Sequence, residues 1–548
     1  MKRNRYLIIL LFLTNSISFA QTDLSSKIDG LFTNWNSIGT PGCTIGILKD
    51  NKIIFEKSYG LANLETNKPI SIDSRFAIGS LTKQFTAFCA AILIHQKKLT
   101  LDDDIRLYLP EFPYTKDTIR IKHLIYHTSG LNDFSNLIKI CGYTYDDVIN
   151  EQMIKEMIYS CYEPNFKPGE KFEYCNSGYF LLAQIVEKVS GQKIDEFARK
   201  SIFRPLGMKN TSYYFNPDPT DSNISVSYSQ NVFGKYQSHT LNTVPVGAGN
   251  IISTVHDLLL WEQNFFIDKL HNNQLNKLIF TEGILNNGDT TDYCFGLRVG
   301  KFKGLKTIYH FGDFNSYESV LLRIPDKSMS IIILSNDQMA KTYFDNYGLA
   351  NKIADILLFN DSKQTVPDNI IRPFSSEEQI KNYIGTYRSK NGFTSITYDD
   401  GQLKISHSWG DWYYSIFPKS DTVFYDIYDF DYEYRFRTDN MSKMVGLWTS
   451  HTKYMEKVDA DSNLLISDDY CGSFYCRELN TTYLLFKKLD KIYCKINSQP
   501  SNELIITGKD SFRYKQNTLR LLRDNLDEIV SLKINNQFIF RKINNNAL

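Results

Sequence analysis

The sequence has little that would indicate a metal, a nucleic-acid partner or a membrane span. Its 62 basic and 61 acidic residues nearly balance, so charge gives no support for binding to nucleic acid. No group of histidines and cysteines has zinc-site spacing, and we expect neither a metal nor another cofactor. Beyond the first 20 residues, no apolar run approaches the length of a transmembrane helix. These absences predict a soluble globular protein.

A disulfide framework is also missing. The nine cysteines are odd in number and irregular in spacing. Cys471 and Cys476 flank four residues, so they could bridge a hairpin or could be two half-buried thiols, and we prefer the second interpretation. Hydrophobic residues make up 42% and charged residues 22% of the chain, which fits a globular protein without such a framework.

The N-terminus has the pattern of a secretory signal. Basic residues at positions 2, 3 and 5 precede an apolar run at 6–13, and Ser18-Phe19-Ala20 is a small-x-small cleavage site. We therefore expect residues 1–20 to be a signal peptide, Gln21 to start the mature chain, and the protein to be periplasmic or secreted. The alternative is an uncleaved membrane anchor, but the apolar run is too short to span a bilayer.

Two parts with different patterns follow, and they predict two domains. Residues 21–362 begin and end with strands and have helices between them, which indicates an α/β (α+β) domain whose sheet is built from both of its ends. Residues 363–375 carry two prolines and many polar residues and are interpreted as a linker. Residues 376–548 contain short alternating strands, which suit a small antiparallel barrel or sandwich.

Local patterns place several elements of the first domain. A turn at 49–52 separates two predicted strands, and a buried strand is predicted over Ser328–Leu334. Helices are predicted to begin at Ser80, Ser177 and Thr254, and Ser190-Gly191 is a typical end of the second of these.

Ser80 and Lys83 lie three residues apart where the first of these helices begins. Residues at i and i+3 share a helical face, so the lysine amine can reach the serine hydroxyl. A desolvated lysine can take the proton of a serine that is otherwise a poor nucleophile, which predicts acyl transfer through a serine ester. The spacing alone is weak, because Ser190/Lys193 and Ser450/Lys453 share it.

A second motif is Tyr174-Cys175-Asn176. A tyrosine near a lysine ammonium has a lowered pKa and can act as a phenolate base. The Asn176 amide can orient a substrate carbonyl and bond to the lysine. By itself this stretch could equally be a turn with Asn176 near the cap of a helix.

A third motif, His310-Phe311-Gly312 followed by Asp313, lies on a predicted strand. A strand edge beside the nucleophile can supply a backbone N–H for an oxyanion hole, and a glycine allows close approach of substrate. His310 can donate a hydrogen bond to the phenol or to a substrate oxyanion. A lone His-x-Gly is more often an ordinary strand sequence, so the motif counts only together with the other two.

With these three motifs in this order, the chain resembles the serine β-lactamase and penicillin-binding-protein superfamily. It is most similar to the class C-like serine hydrolases, a group with D-aminopeptidases, DD-peptidases and esterases. Tyr59-Gly-Leu-Ala-Asn63 and His127-Thr-Ser-Gly-Leu131 extend the resemblance, which covers roughly residues 25–360. The C-terminal part resembles the lipocalin-like β-barrel domain of some of these hydrolases, on patterns such as Tyr383-Ile-Gly-Thr-Tyr387.

The resemblance implies a β-lactamase-like antiparallel sheet flanked by helices, with a helical subdomain, and a role for each motif. Ser80 would attack the carbonyl, and Asn176 would position the acyl side chain. Lys83 and Tyr174 would share the proton transfers, and the sequence leaves open which is the working base, because the two titrate as a coupled pair.

The third motif would complete that site. His310 stands where relatives have a lysine. Gly312 would admit the substrate, and the backbone N–H groups of Ser80 and Asp313 would form the oxyanion hole.

The resemblance also limits the candidate functions. The first is an exported serine hydrolase that cleaves a small amide or a peptide with a D-residue, including a cell-wall-type substrate. A carboxylesterase and a β-lactamase are alternatives, and a neutral His310 in place of the lysine would weaken carboxylate recognition and favour the esterase. The fourth is a non-catalytic or slowly deacylating penicillin-binding sensor. The sequence predicts a small-molecule or peptide substrate but no oligomeric state.

Overall fold

A computed structural model describes residues 24–543 apart from several gaps, the longest of which are 339–347, 360–373 and 459–467. The predicted signal peptide and all of the predicted linker except Phe374 therefore lie outside the described residues. The α-helices of the described part are α1 24–29, α2 Thr82–His95, α3 Ile121–Ile125, α4 Phe134–Ile140, α5 Glu151–Ser160, α6 Asn176–Ser190, α7 Ile194–Ala198, α8 Arg204–Leu206, α9 Val255–Ile267, α10 Asn273–Ile279, α11 Leu349–Phe359 and α12 Glu377–Lys381.

The strands of the first domain form one large sheet and several small ones. They are β1 Cys43–Lys49, β2 Lys52–Tyr59, β3 Leu61–Asn63, β4 Lys68–Pro69, β5 Phe76–Ala77, β6 Ser212–Tyr213, β7 Ser227–Gln230, β8 Tyr236–His239, β9 Ile251–Ser253, β10 Arg298–Phe302, β11 Leu305–Phe314, β12 Tyr317–Ile324 and β13 Met329–Ser335.

The large sheet is antiparallel, with the strand order β10-β11-β12-β13-β1-β2. Its central pair, β13 and β1, comes from opposite ends of the domain, with Cys43 opposite Ser335, as the sequence predicted. Alternate residues of β13 face two different cores. Ile332 packs on the side of α2 and α9, whereas Ile331 packs on the side of α1 and α11. The sheet is therefore covered by helices on both faces, and the helical subdomain lies on the α2 side.

The predicted helices of the first domain are confirmed. α6 ends at Gly191, which has a left-handed φ of 70° and caps the helix. The Thr254 side chain accepts a hydrogen bond from the Asp257 backbone N–H and so caps α9. No helix in the described ranges is both long and apolar enough to cross a membrane.

The C-terminal region is entirely β apart from α12 and one short 3₁₀ turn, within the residues that the structure describes. Its strands are β14 Gly385–Ser389, β15 Gly392–Asp399, β16 Gln402–His407, β17 Tyr413–Pro418, β18 Val423–Asp426, β19 Glu433–Thr438, β20 Met444–Thr449, β21 Thr452–Val458, β22 Gly472–Cys476, β23 Thr481–Lys488, β24 Lys491–Ile496, β25 Asn502–Glu503, β26 Ile505–Gly508, β27 Ser511–Tyr514, β28 Asn517–Arg523, β29 Ile529–Ile534 and β30 Phe538–Ile543.

The predicted barrel is confirmed, but it takes up only part of the region assigned to it. Strands β14 to β21 form a closed eight-stranded barrel, which β14 closes by pairing with β21. Strands β22 to β30 form a separate nine-stranded antiparallel sheet, so residues 376–548 are not one barrel. Strand alternation predicts which face of a strand is buried, but not which strand closes the sheet, and this is why the sequence did not separate the two units.

Both β units dock on the first domain. Val232, at the tip of the β7–β8 hairpin, is buried in the barrel core and bonds through its backbone to Gly401 and Phe374. The nine-stranded sheet shares a hydrophobic core with α4, to which Leu137 and Ile140 contribute.

Candidate active site

The nucleophile lies on a tight turn that leads into a helix. Residues Gly79–Leu81 form one 3₁₀ turn before α2. Gly79 has φ +49°, a conformation that suits glycine, and a Cβ there would lie 2.8 Å from the Asp313 backbone nitrogen. Ser80 is half-buried at this turn, and Lys83, one turn further on, is completely buried.

Lys83 has three hydrogen-bond neighbours. Its Nζ lies 2.9 Å from Ser80 Oγ, 2.8 Å from Asn176 Oδ1 and 2.8 Å from the Ala248 carbonyl oxygen. Burial lowers the pKa of the Lys83 amine to about 7. A neutral amine has two N–H groups, which the two carbonyl oxygens accept, and one lone pair, which then faces the Ser80 hydroxyl. The geometry therefore suits proton transfer from Ser80 to Lys83.

Tyr174 borders the same site but in a different state from the one predicted. Its ring centre lies 4.9 Å from Lys83 Nζ, and its buried Oη has no hydrogen-bond partner among the described residues. Burial raises the pKa of the phenol, and the smaller opposing effects of Ser80 and Arg298 do not offset it. The lowered pKa inferred from a nearby ammonium is wrong, and Tyr174 is a protonated phenol.

Asn176 is fixed by residues that the sequence motifs did not include. Its backbone N–H donates to Asp133 Oδ2, and its Nδ2 donates to Ser135 Oγ at 3.1 Å. Asp133 also caps α4, because its Oδ1 accepts from the Ser135 backbone N–H at 2.8 Å. The Asn176 side chain accepts a hydrogen bond from Lys83 through Oδ1 and donates one N–H to Ser135, so its amide is held in one orientation. The second N–H of the amide remains for a substrate.

His310 lies in the site but differs from its predicted role. Its Nδ1 lies 2.6 Å from the Phe311 carbonyl oxygen and its Nε2 lies 3.1 Å from Tyr293 Oη. Burial lowers the pKa of His310 to about 3, so the ring is neutral. The carbonyl can only accept, so Nδ1 carries the proton and Nε2 accepts from the Tyr293 hydroxyl. His310 therefore has no free N–H to donate to the phenol or to an oxyanion.

Gly312 and Asp313 lie beside the nucleophile turn, as the third motif predicted. Strand β10 pairs with β11 only as far as Tyr309, so the last residues of β11 run along the turn at Ser80 instead. A Cβ at Gly312 would come within 2.1 Å of the Ile78 carbonyl oxygen. Only glycine fits this contact, which brings the Asp313 backbone next to Gly79.

Arg298 is a site residue that the motifs missed. Its guanidinium carbon lies 5.7 Å from the ring centre of Tyr174 and 5.9 Å from that of Tyr293. Its charge contributes to the lowered pKa values of Lys83 and His310. No described residue accepts a hydrogen bond or forms an ion pair with this guanidinium, so it is a cation beside Tyr174 without a counter-ion among those residues.

Three further features of the sequence can be compared with the structure. Lys193 pairs with Glu187 at 3.0 Å instead of facing Ser190, so this copy of the Ser-x-x-Lys spacing has no catalytic geometry. The copy at Ser450 lies outside the described residues. All nine cysteines are free thiols. In the described part of the chain, no group of three or more His, Cys, Asp or Glu side chains could hold a metal ion.

A buried lysine bonded to a half-exposed serine, beside an oriented amide and a strand edge, defines a serine hydrolase. Comparison with known families agrees: the family model described as Beta-lactamase matches residues 28–353, more than half of the chain, and the protein belongs to this family. The chain is 28% identical to penicillin-binding protein 4* of Bacillus subtilis over 404 residues, which cover 70% of this chain and 87% of that protein.

D-aminopeptidase of Brucella anthropi is 26% identical over 300 residues, or 54% of this chain. The match spans only 56% of the D-aminopeptidase, just over half of its length. Among solved structures, the octameric penicillin-binding protein homologue from Pyrococcus abyssi aligns with a TM-score of 0.55 and 21% identity, over 87% of this chain and 98% of that one. D-amino acid amidase from Ochrobactrum anthropi aligns with a TM-score of 0.50 and 20% identity, over 61% and 96% of the chains. These structural matches support the fold.

Proposed function

We propose that the protein is an exported hydrolase that cleaves an amide or peptide bond next to a D-amino acid, through an acyl-enzyme at Ser80. The relatives named D-aminopeptidase and D-amino acid amidase support the D-residue, and the pattern at 1–20 supports export. The observation that carries the substrate class is Arg298, because an unpaired guanidinium in a serine hydrolase site suits a substrate carboxylate.

The hydrogen bonds of Lys83 support the following scheme of proton transfers. The neutral Lys83 amine takes the Ser80 proton as Oγ attacks the carbonyl carbon, and the developing oxyanion faces the backbone N–H groups of Ser80 and Asp313. The bond to the leaving amine then breaks, and the amine takes a proton from the Tyr174 phenol, which Lys83 replenishes. Water hydrolyses the ester by the same transfers in reverse. In acylation Lys83 is therefore the base and Tyr174 the acid, and in deacylation, where water loses a proton by way of Tyr174 and Lys83 returns one to Ser80, the two residues exchange these roles.

His310 and Arg298 divide the role of the third-motif lysine of relatives. His310 is neutral and both of its ring nitrogens are hydrogen-bonded, so it forms part of the active-site surface without a charge. Arg298 supplies the positive charge. This weakens the argument for a carboxylesterase, which depended on the absence of a cation. The preferred substrate has a free carboxylate on the leaving-group side, as a short peptide with a C-terminal D-residue does.

Arg298→Ala tests this substrate class on two matched substrates, an N-acyl-D-Ala-D-Ala dipeptide and its C-terminal carboxamide. Loss of a charged hydrogen bond, about 1.5–3 kcal/mol, should lower kcat/KM for the acid roughly 10- to 100-fold. The carboxamide should change little, and Arg298→Lys should lie between. Equal losses on both substrates would contradict the assignment. Rapid turnover of simple esters without peptide hydrolysis would favour the carboxylesterase.

A further inference from the structure

The nine-stranded C-terminal sheet contacts the first domain close to Asp133 and Ser135, the residues that hold Asn176. The connecting element is α4, which lies between the two. Its N-terminal end faces the active site through Asp133 and Ser135. Its apolar residues Leu137 and Ile140 are fully buried in a core shared with the sheet.

Side chains of the sheet also satisfy the far end of α4. The last carbonyl groups of a helix have no partner within the helix. Here the Ile140 carbonyl oxygen accepts from Tyr483 Oη at 2.7 Å, and the Lys139 carbonyl oxygen accepts from Asn517 Nδ2 at 3.2 Å. Both donors belong to the sheet. The backbone N–H groups of residues 141–143 bond to the carbonyls of Leu137, Ile138 and Lys139, and the sheet adds the partner of the Ile140 carbonyl and a second partner for that of Lys139.

A third contact reaches the N-terminal end of the same helix. Gln537, in the turn between β29 and β30, donates through Nε2 to Asn132 Oδ1, and also to Asn165 Oδ1 at 2.8 Å. The Asn132 carbonyl oxygen accepts from Ser177 Oγ at 2.6 Å. The sheet thus bonds to the residue that precedes Asp133 and that is itself tied to the start of α6.

These contacts form a continuous path to the nucleophile. It runs from the α4 cap residue Asp133 and from Ser135 to Asn176, then to Lys83 Nζ at 2.8 Å and to Ser80 Oγ at 2.9 Å. We propose that the nine-stranded sheet is a structural part of the active site and that Tyr483 and Gln537 are positioning residues, which act through α4 on the orientation of the Asn176 amide. The inference rests on the acyl-enzyme chemistry proposed above but not on its natural substrate.

The expected effect is selective. A misplaced Asn176 amide weakens contact with the amide group of an acyl chain, but leaves Ser80 on its turn and Lys83 on α2. Reaction with an acyl group that has an amide should therefore suffer more than reaction with one that has none. A merely destabilised protein would lose both reactions in the same proportion, because only the concentration of folded enzyme would change.

The test uses the full chain with Tyr483→Phe and Gln537→Ala combined, and Asn502→Ala as the control. Asn502 lies in the same sheet, where it bonds to Tyr514 and Pro500. The readout is the ratio of kcat/KM for the p-nitrophenyl ester of N-acetyl-D-alanine to that for p-nitrophenyl acetate. We expect the double variant to lower this ratio about tenfold, as a small displacement of a positioning group can, and the control to keep it. An unchanged ratio would overturn the proposal.

A second measurement does not depend on turnover. Hydrogen exchange of the backbone amides over 174–178 should become faster in the double variant than in the Asn502→Ala control, since the Asp133 partner of the Asn176 N–H is less firmly held. If the wild type hydrolyses neither ester, the proposed function fails and this measurement decides the inference alone. Unchanged exchange over 174–178 would then overturn it.

Discussion

At the scale of single residues, the protonation state of Lys83 determines how this site works. The amine is buried, its pKa is lowered to about 7, and two carbonyl oxygens accept its N–H groups. Tyr174 is the opposite case, because burial raises the pKa of its phenol. Two titratable groups whose pKa values are pushed apart divide naturally into a base and an acid.

This division predicts the pH dependence of the reaction. Lys83 is a competent base only when neutral, so kcat/KM should rise as pH increases through about 7 and then level off. His310, with a pKa of about 3, should add no step near pH 6.5. The measurement is kcat/KM from pH 5 to 9 on a neutral ester, with Lys83→Arg as an inactive control. Activity that appears only above about pH 9 would indicate a tyrosinate base instead.

The residues that the sequence revealed are those with a fixed local spacing. Ser80 and Lys83 share one helical turn, and Tyr174 and Asn176 lie two apart at a helix start. Arg298 belongs to no motif, because it reaches the site by strand pairing: β10 places it opposite Tyr309. A signal was present, since the Lys303-Gly304 turn, with positive φ at both residues, folds β10 back on β11.

At the scale of elements, the geometry of the site depends on the last residues of β11, which lie against the turn that carries Ser80. The strand continues beyond its pairing with β10, and Ser319 Oγ on β12 donates to the Ile78 carbonyl oxygen at 2.9 Å. Gly312 allows this approach, because a side chain there would collide with Ile78. The spacing between strand and turn sets the distance between the two backbone N–H groups proposed for the oxyanion hole.

Gly312→Ala should therefore damage catalysis more than folding. The added Cβ would lie 2.1 Å from the Ile78 carbonyl oxygen, so β11 must move away from the turn. We expect kcat to fall roughly 10²- to 10³-fold, as for the loss of one oxyanion-hole donor. Gly30→Ala is the control, since a Cβ there has no neighbour within 4 Å. Wild-type kcat in Gly312→Ala would contradict this role of β11.

The elements that the sequence predicted are the longer ones. The β1–β2 hairpin, α6, α9 and β13 follow from alternation, periodicity and caps. Helices were expected between the terminal strands of this domain, but no individual element was predicted over residues 132–170, where α4 lies. It has only seven residues, and part of its packing and the partner of its last carbonyl come from side chains nearly 350 residues away in sequence, which a local pattern does not show.

At the scale of the whole molecule, the C-terminal β region is attached to the first domain at two places. The barrel encloses the tip of the β7–β8 hairpin, and the nine-stranded sheet covers α4. The sequence predicted β structure beyond the linker, but not its division into two units. Strand pairing between distant segments, such as β22 with β30, is not visible in a local pattern.

The central claim is that Ser80 forms the acyl-enzyme, and intact-mass spectrometry tests it most directly. The protein, as wild type and as Ser80→Ala, is incubated with a fluorophosphonate and separately with a penicillin. The account predicts one covalent fluorophosphonate adduct on the peptide that contains Ser80, and none in Ser80→Ala; a penicillin adduct at the same residue would extend it to lactams. No fluorophosphonate adduct on the wild type, or one that persists in Ser80→Ala, would contradict the account.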